Sequence, residues 1–177
     1  MRARLGGIAA LLVVVLIGVI AASALAADQT SGTGKSHLGY TVGYNAQSDL
    51  SGSLEYHPVV NGVTLDIHCG GPGQDDYNSY SLTTTADGLY PKTIFNTTKC
   101  WDQNNVRYFV HVEAIDRGEG ANAPQDGLCI TVKVWPGRLN PRLVHDCGDI
   151  QDGNVQIISH ADTGIVSTDL LASTPTA

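Results

Sequence analysis

Three acidic residues around one glycine-rich loop are the first candidates for chemistry. Asp116 and Glu119 lie in the segment DRGEG, and Asp126 follows at the far end of the same loop. Calcium binds six to eight oxygens from carboxylates and carbonyls on flexible loops, so Ca²⁺ is the one cofactor that the sequence suggests. The spacing differs from that of an EF-hand loop. The alternative is that Asp116 and Asp126 accept backbone hydrogen bonds at the loop ends while Glu119 is solvated.

Four cysteines form the second candidate group. An even number of cysteines in an exported chain is typical of two disulfides. If the chain reverses after Trp135, Cys129 and Cys147 face each other on neighbouring strands, at a separation that suits a disulfide. Cys69 then pairs with Cys100 by elimination.

Histidines beside two of these cysteines raise the question of a zinc site. They occur in the segments His68-Cys69 and His145-Asp146-Cys147. Zinc sites built on cysteine usually hold two cysteines a few residues apart, and this sequence has no such pair. Adjacent side chains on a strand also point to opposite faces, so His68 and Cys69 cannot ligate one ion. Disulfides with surface histidines are therefore the expected arrangement.

The sequence carries no signature of a catalytic nucleophile. Nothing in it resembles the G-x-S-x-G turn, and oxidised cysteines leave no thiolate to attack a substrate. We therefore expect a protein without catalytic residues, and an extracellular hydrolase is the alternative. A hydrolase would need a cleft in which a histidine, a carboxylate and a nucleophile converge.

Aromatic side chains near the second cysteine offer a contact surface. Tyr77, Tyr80 and Trp101 are the candidates for contact with a carbohydrate or a peptide, because exposed aromatic residues on loops are common contact residues. The alternative is that these rings pack in the small core of their own segment.

Alternating apolar residues predict the strands that would position these groups. In the run Val106–Ile115 the apolar side chains fall on every second position, and Leu128–Val134 repeats the pattern. Asn61-Gly62, between two further runs, predicts a hairpin because both residues accept positive φ. The pattern predicts an all-β domain over residues 38–160, an antiparallel β-sandwich or partly open barrel of about eight short strands stapled by disulfides.

The two ends of the chain differ from the rest in composition. Residues 1–26 hold two arginines, then an apolar run, then Ala24-Leu25-Ala26, which predicts a cleaved secretory signal peptide. An uncleaved membrane anchor is the alternative, because the apolar run is long enough to span a bilayer. Residues 27–37 are rich in Ser, Thr and Gly and are expected to be a flexible lead-in. Residues 161–177 are expected to be a loosely ordered tail.

The acidic charge limits the partners. The formal net charge is −7, and loss of residues 1–26 with their two arginines would make it −9. An acidic surface disfavours nucleic acid and anionic membranes. We therefore expect a secreted, extracellular protein with no nucleic-acid partner and, after cleavage of the signal peptide, no membrane partner.

Several short motifs resemble the post-COAP domain of bacterial exported proteins. They follow one another over about residues 39–160: GYNA at 43–46, GSLEY at 52–56, the strand from Phe109 that leads to Gly120, DGLCI at 126–130 and GNVQI at 153–157. The segment from Gly70 to Trp101 is longer than in the family pattern. The resemblance implies a β-rich extracellular module with no established activity. We expect a non-enzymatic binding or structural module whose partner is an unknown extracellular ligand or cell-surface component.

Overall fold

The computed structural model describes residues 27–70, 77–120, 122–136 and 142–159. Within these ranges the chain forms twelve β-strands and no helix. The strands are β1 (Gln29–Lys35), β2 (Thr41–Gln47), β3 (Gly52–His57), β4 (Val59–Val60), β5 (Val63–Thr64), β6 (Ile67–Cys69), β7 (Ser79–Thr84), β8 (Pro91–Trp101), β9 (Arg107–Ile115), β10 (Gly127–Val134), β11 (Val144–Asp149) and β12 (Asn154–Ile158).

Ten of these strands belong to one antiparallel sheet. Along the sheet their order is β11-β10-β9-β8-β6-β3-β2-β1-β12, and β7 pairs with the first part of β8. β4 and β5 form a separate small hairpin. The predicted all-β class is confirmed. The strands outnumber the expected eight because the sequence pattern does not reveal β1 or the strands of two or three residues.

The short connection between β11 and β12 forces the sheet to curl. These strands lie at opposite ends of the strand order, yet only residues 150–153 separate them. Five residue steps span at most about 17 Å, whereas nine flat strands would place the outer two about 38 Å apart. The sheet therefore bends into a half-barrel, which is the partly open barrel rather than the sandwich.

The inner face of the half-barrel holds the hydrophobic core. Every second side chain of β9 is buried, and β2 and β3 show the same alternation. The predicted period of two is thus confirmed for the central strand. Each large apolar side chain that is fully buried here contributes about 1.5–3 kcal/mol. The largest of them include Tyr56, Phe95, Leu54, Ile67 and Ile130.

Both expected disulfides are present. Cys69 is bonded to Cys100 and Cys129 to Cys147. In each pair the two residues lie directly opposite each other on neighbouring antiparallel strands. The first bridge faces the core, whereas the second is half-buried on the outer face. None of the cysteines that the structure describes is free.

The expectation of a flexible lead-in at residues 27–37 is wrong. Gln29–Lys35 form β1, which lies between β2 and β12 and pairs with both. Its glycines lie where the packing is close: a Cβ atom at Gly32 would be 2.5 Å from the ring of Tyr44, and one at Gly34 would overlap the backbone of Asp152 and Gly153. The glycines of this segment therefore reflect close packing and not chain freedom.

Gly32→Ala should lower the free energy of unfolding by about 1–3 kcal/mol, because the added methyl group overlaps the Tyr44 ring. Urea denaturation followed by far-UV circular dichroism measures the change. Gly43→Ala on the adjacent strand is the matched control, since a Cβ atom there meets nothing within 4 Å. Equal losses at the two positions would contradict the packing explanation.

Asn61-Gly62 forms the predicted hairpin turn. The two residues have φ values of 52° and 81°, and Val60 pairs with Val63 across the turn. The hairpin is smaller than the sequence suggests, because β4 and β5 have two residues each and β3 pairs directly with β6.

Two predicted segments lie outside the described residues, the signal peptide at 1–26 and the tail at 161–177. The folded domain begins earlier than residue 38, at β1. In the ranges that are described, no helix has the length and apolarity needed to cross a membrane.

Candidate functional site

Asp126 is a buried carboxylate that joins the loop after β9 to the last strand. Its side chain is only 6% exposed. One oxygen accepts a hydrogen bond from the N–H of Arg117 at 2.8 Å, and the other accepts one from the N–H of Val155 at 2.6 Å. The carboxylate thus satisfies one backbone donor of the loop and one of β12.

Asp116 makes the same kind of link from the other end of the loop. Its two oxygens accept hydrogen bonds from the N–H groups of Gly118 at 2.9 Å and Ile157 at 3.0 Å. Glu119 is exposed, and its Oε1 accepts a hydrogen bond from the side-chain amide of Asn154 at 2.6 Å. Because β12 pairs only with β1 among the described strands, these contacts cover its other edge.

The structure does not bring the three predicted calcium ligands together. A metal site needs several His, Cys, Asp or Glu ligand atoms close together. Among the described residues, one group of three has its ligand atoms within 4.8 Å of one another, and it consists of Cys129, His145 and Cys147. The hydrogen bonds of Asp116 and Asp126 match the alternative in which they accept backbone N–H groups. Calcium binding at this loop stays a prediction.

Only one of the three aromatic residues predicted to contact a ligand is well exposed. Tyr77 is 2% exposed, and the one hydrogen of its hydroxyl has two carbonyl acceptors within reach, Asn45 at 2.9 Å and Ser53 at 2.7 Å. Its prediction as a surface contact is therefore wrong. Tyr80 packs half-buried against the core, and burial raises its pKa to about 12. Trp101 is 42% exposed and remains a candidate.

Trp101 belongs to a cluster with Arg107 and Trp135, which we call the tryptophan–arginine cluster. The guanidinium carbon of Arg107 lies 5.7 Å from the ring centroid of Trp101 and 5.2 Å from that of Trp135. Both distances suit cation–π attraction. The Arg107 Nε also donates to the carbonyl of Thr98 at 2.6 Å, which fixes the guanidinium between the rings.

Strand register places these three side chains in a row. β8 ends at Trp101, β9 begins at Arg107, and the two residues are directly paired. The backbone N–H of Trp135 donates to the carbonyl of Arg107 at 2.8 Å. Sequence reasoning missed Trp135 because it follows the last residue of β10, and its place beside Arg107 depends on the register.

Asp102 shapes the turn that joins the first two members of the cluster. Its Oδ1 accepts hydrogen bonds from the N–H groups of Asn104 and Val106, and its Oδ2 accepts one from the hydroxyl of Tyr108. Burial alone would raise the pKa of Asp102. The backbone donors at Val106 and Asn104, together with the Tyr108 hydroxyl, outweigh burial and hold the pKa below its ordinary value.

Asp102→Asn should cost about 1–2 kcal/mol at pH 7, because the amide cannot accept all three hydrogen bonds as the carboxylate does. The folded pKa lies below the ordinary 3.8, so the stabilisation is complete above that pH and is lost as pH falls through the folded pKa. Urea denaturation of both proteins from pH 7 to pH 2.5 measures this. A difference in stability that stays constant over the whole range would contradict the assignment.

A row of polar side chains crosses β8 to β11 on the outer face. The register pairs them in the order Asn96, His111, Thr131 and His145. The imidazole of His111 lies 2.6 Å from Oδ1 of Asn96 and 3.1 Å from Oε1 of Glu113. Hydrogen bonds from Lys92 and His111 hold the pKa of Glu113 below its usual range.

His145 comes nearest to a catalytic arrangement. Its Nδ1 lies 3.0 Å from Oγ1 of Thr131, a hydroxyl–imidazole pair of the kind that nucleophilic hydrolases use. Among the described residues, no carboxylate forms a hydrogen bond or an ion pair with His145 that would orient it as a base. In the other histidine–cysteine segment, His68 is exposed and Cys69 is buried. The two side chains therefore lie on opposite faces of the strand, as expected.

Comparison of the chain with models of protein families, with curated proteins and with solved structures finds no match. The resemblance to the post-COAP domain therefore rests on the sequence motifs and stays a prediction. Two arrangements on the outer surface remain to be explained, the tryptophan–arginine cluster and the histidine beside the Cys129–Cys147 disulfide.

Proposed function

We propose that this protein is a secreted, non-enzymatic β-domain that binds an extracellular protein ligand through the tryptophan–arginine cluster. The observation that carries the proposal is the exposed ring of Trp101, backed by a guanidinium that is itself fixed by hydrogen bonding. The two disulfides are typical of an oxidising compartment. The composition of residues 1–26 supports export.

The cluster is organised before any ligand arrives. Arg107 lies against the rings of Trp101 and Trp135 and donates a hydrogen bond to the carbonyl of Thr98. A ligand that stacks on Trp101 would therefore restrict few further torsions, and little conformational entropy would be lost on binding. Trp and Arg are also among the residue types most enriched at the positions that dominate protein interfaces.

Apolar side chains near the cluster favour a protein ligand over a carbohydrate. Val106, next to Arg107, is exposed, and so are Val59 and Val63 of the β4–β5 hairpin. Gln103, in the β8–β9 turn, ties that hairpin to the cluster: its amide donates to the carbonyl of Thr64 at 3.2 Å. Exposed aliphatic side chains in segments that adjoin the cluster or are hydrogen bonded to its turn suit the apolar centre of a protein interface.

Selection of peptides from a displayed random library, with a glycan array in parallel, tests this function. Both tryptophans of the chain belong to the cluster, so their fluorescence reports binding there directly. Selected peptides should shift the tryptophan emission, and Trp101→Ala should weaken their binding by at least about tenfold. Glycan binding without peptide binding would overturn the proposed ligand class.

Leu89→Ala is the matched control, because Leu89 is also an exposed apolar residue but lies in the β7–β8 turn. It should leave peptide affinity unchanged. Melting temperatures of both variants establish that they are folded. Binding that Trp101→Ala does not weaken would show that the cluster is not the contact surface.

A further inference from the structure

Three side chains on the outer face form a group with the composition of a metal site. His145 and Cys147 are two residues apart on β11 and therefore point to the same side. Cys129 lies directly opposite Cys147 on β10. The ligand atoms of these three residues all lie within 4.8 Å of one another.

We propose that Cys129, His145 and Cys147 form a redox-gated site for Zn²⁺. In the oxidised protein the two sulfurs are bonded to each other. When a dithiol reduces the bridge, the S–S bond accepts two electrons and two protons and the dithiol becomes a disulfide. Zn²⁺ then displaces the thiol protons and binds two thiolates and one imidazole. This inference does not depend on the function proposed for the tryptophan–arginine cluster.

The distances suit this ion. Zinc binds thiolate at 2.3 Å and imidazole at 2.0–2.1 Å in a tetrahedron, so neighbouring ligand atoms lie about 3.6 Å apart. Nε2 of His145 is already 3.5 Å from Sγ of Cys147. After reduction, the two sulfurs need only to separate to a similar distance. Three protein ligands leave the fourth position open to water or to another molecule.

Thr131 orients the histidine for this role. Its Oγ1 lies 3.0 Å from Nδ1 of His145, so a hydrogen bond at Nδ1 leaves Nε2 as the nitrogen available to an ion. Sγ of Cys147 lies at similar distances from the two nitrogens, 3.5 Å from Nε2 and 3.7 Å from Nδ1. Metal-bound histidines usually hold their second nitrogen in such a hydrogen bond, which fixes the ring and the tautomer. Thr131 would act as a positioning residue and not as a ligand.

Both the reductant and the ion can reach the site from solvent. The half-buried bridge lines a groove of about 210 Å³ together with Glu113, Gly148 and Asp149. The other disulfide has no such access, because both of its cysteines are buried. Its neighbouring histidine, His68, points outward, and among the described residues no histidine joins its sulfurs in a group of ligand atoms. The arrangement is therefore particular to one bridge.

Titration of the reduced full-length chain with Co²⁺, followed by Zn²⁺, tests the site. A water-soluble phosphine opens the exposed bridge and is oxidised to its phosphine oxide by oxygen from water, and alkylation must show two thiols and not four. One equivalent of Co²⁺ should then produce a thiolate-to-cobalt charge-transfer band that Zn²⁺ abolishes. The oxidised protein should show no band.

His145→Ala should weaken Co²⁺ binding by at least about tenfold, because one of three ligands is lost. Thr131→Val should weaken it less. His111→Ala, in the same polar row, is the control and should have no effect. No charge-transfer band in the reduced protein, or equal affinity after His145→Ala, would overturn the proposal.

Loss of folding on reduction would not leave the question open. In that case Zn²⁺ should restore the far-UV circular dichroism of the folded sheet to the reduced chain, and it should do so far less for reduced His145→Ala. A reduced chain that stays unfolded with Zn²⁺ would refute the site as clearly as the missing band.

Discussion

Asp126→Ala should lower the free energy of unfolding by about 3–5 kcal/mol, because two backbone donors lose a charged acceptor in a place shielded from water. These donors are the N–H groups of Arg117 and Val155. Urea denaturation measures the loss. Hydrogen exchange should show faster exchange at Val155 in the variant, since that N–H belongs to the edge of β12 that β1 does not cover.

Asp152→Ala is the control for this prediction. Its side chain is 79% exposed and lies 3.9 Å from the amine of Lys35, and exposed ion pairs of this kind contribute less than about 1 kcal/mol. A loss below about 1 kcal/mol for Asp126→Ala, similar to that of the control, would mean that the carboxylate does not hold the two ends of the sheet together.

The role of Asp126 explains how an open barrel protects its last strand. An uncovered strand edge presents N–H and C=O groups to which another chain can pair. Here Asp116 and Asp126 accept the N–H groups of Ile157 and Val155, two residues apart on one edge. Side chains thus take the place that a neighbouring strand would occupy in a closed barrel. The acidic loop has a structural task whether or not it also binds calcium.

Local pattern was enough to predict the centre of the fold. The period of two between Val106 and Ile115 identified β9, and the reversal after Trp135 gave the register that places Cys129 against Cys147. Both inferences depend only on residues that are close in sequence or joined by one turn. Neighbouring strands constrain each other strongly there, because a shift by one residue would exchange the two faces.

Contacts between distant segments could not be predicted in this way. β1 has no apolar alternation. The reason for a glycine at position 32 is visible only in the fold, where the ring of Tyr44 from the next strand lies against it. The tryptophan–arginine cluster likewise depends on a register across three strands.

His145 and Cys147 did carry a local signal, because residues two apart on a strand share a face. A search for cysteines close together in sequence misses a pair that meets across strands.

The Cys129–Cys147 bridge should be reduced at least about 10³ times faster than Cys69–Cys100 in the native protein. A thiolate must reach a sulfur atom to open a disulfide. The Cys129–Cys147 bridge is half-buried on the outer face, whereas Cys69 and Cys100 are 3% and 0% exposed. They can be reduced only when the core opens locally, which costs several kcal/mol. Each 1.4 kcal/mol of that cost lowers the population of the open state, and with it the reduction rate, by about a factor of ten.

Timed alkylation during reduction, with peptide mapping by mass spectrometry, measures the two rates. Loop length cannot produce the difference, since sequence separations of 31 and 18 residues change the loop entropy contribution by only about 0.5 kcal/mol. In denaturing urea the two bridges should therefore react at similar rates. Equal rates in the native protein would place the core bridge within reach of solvent, and a tenfold or larger difference that persisted in urea would trace the effect to local sequence and not to burial.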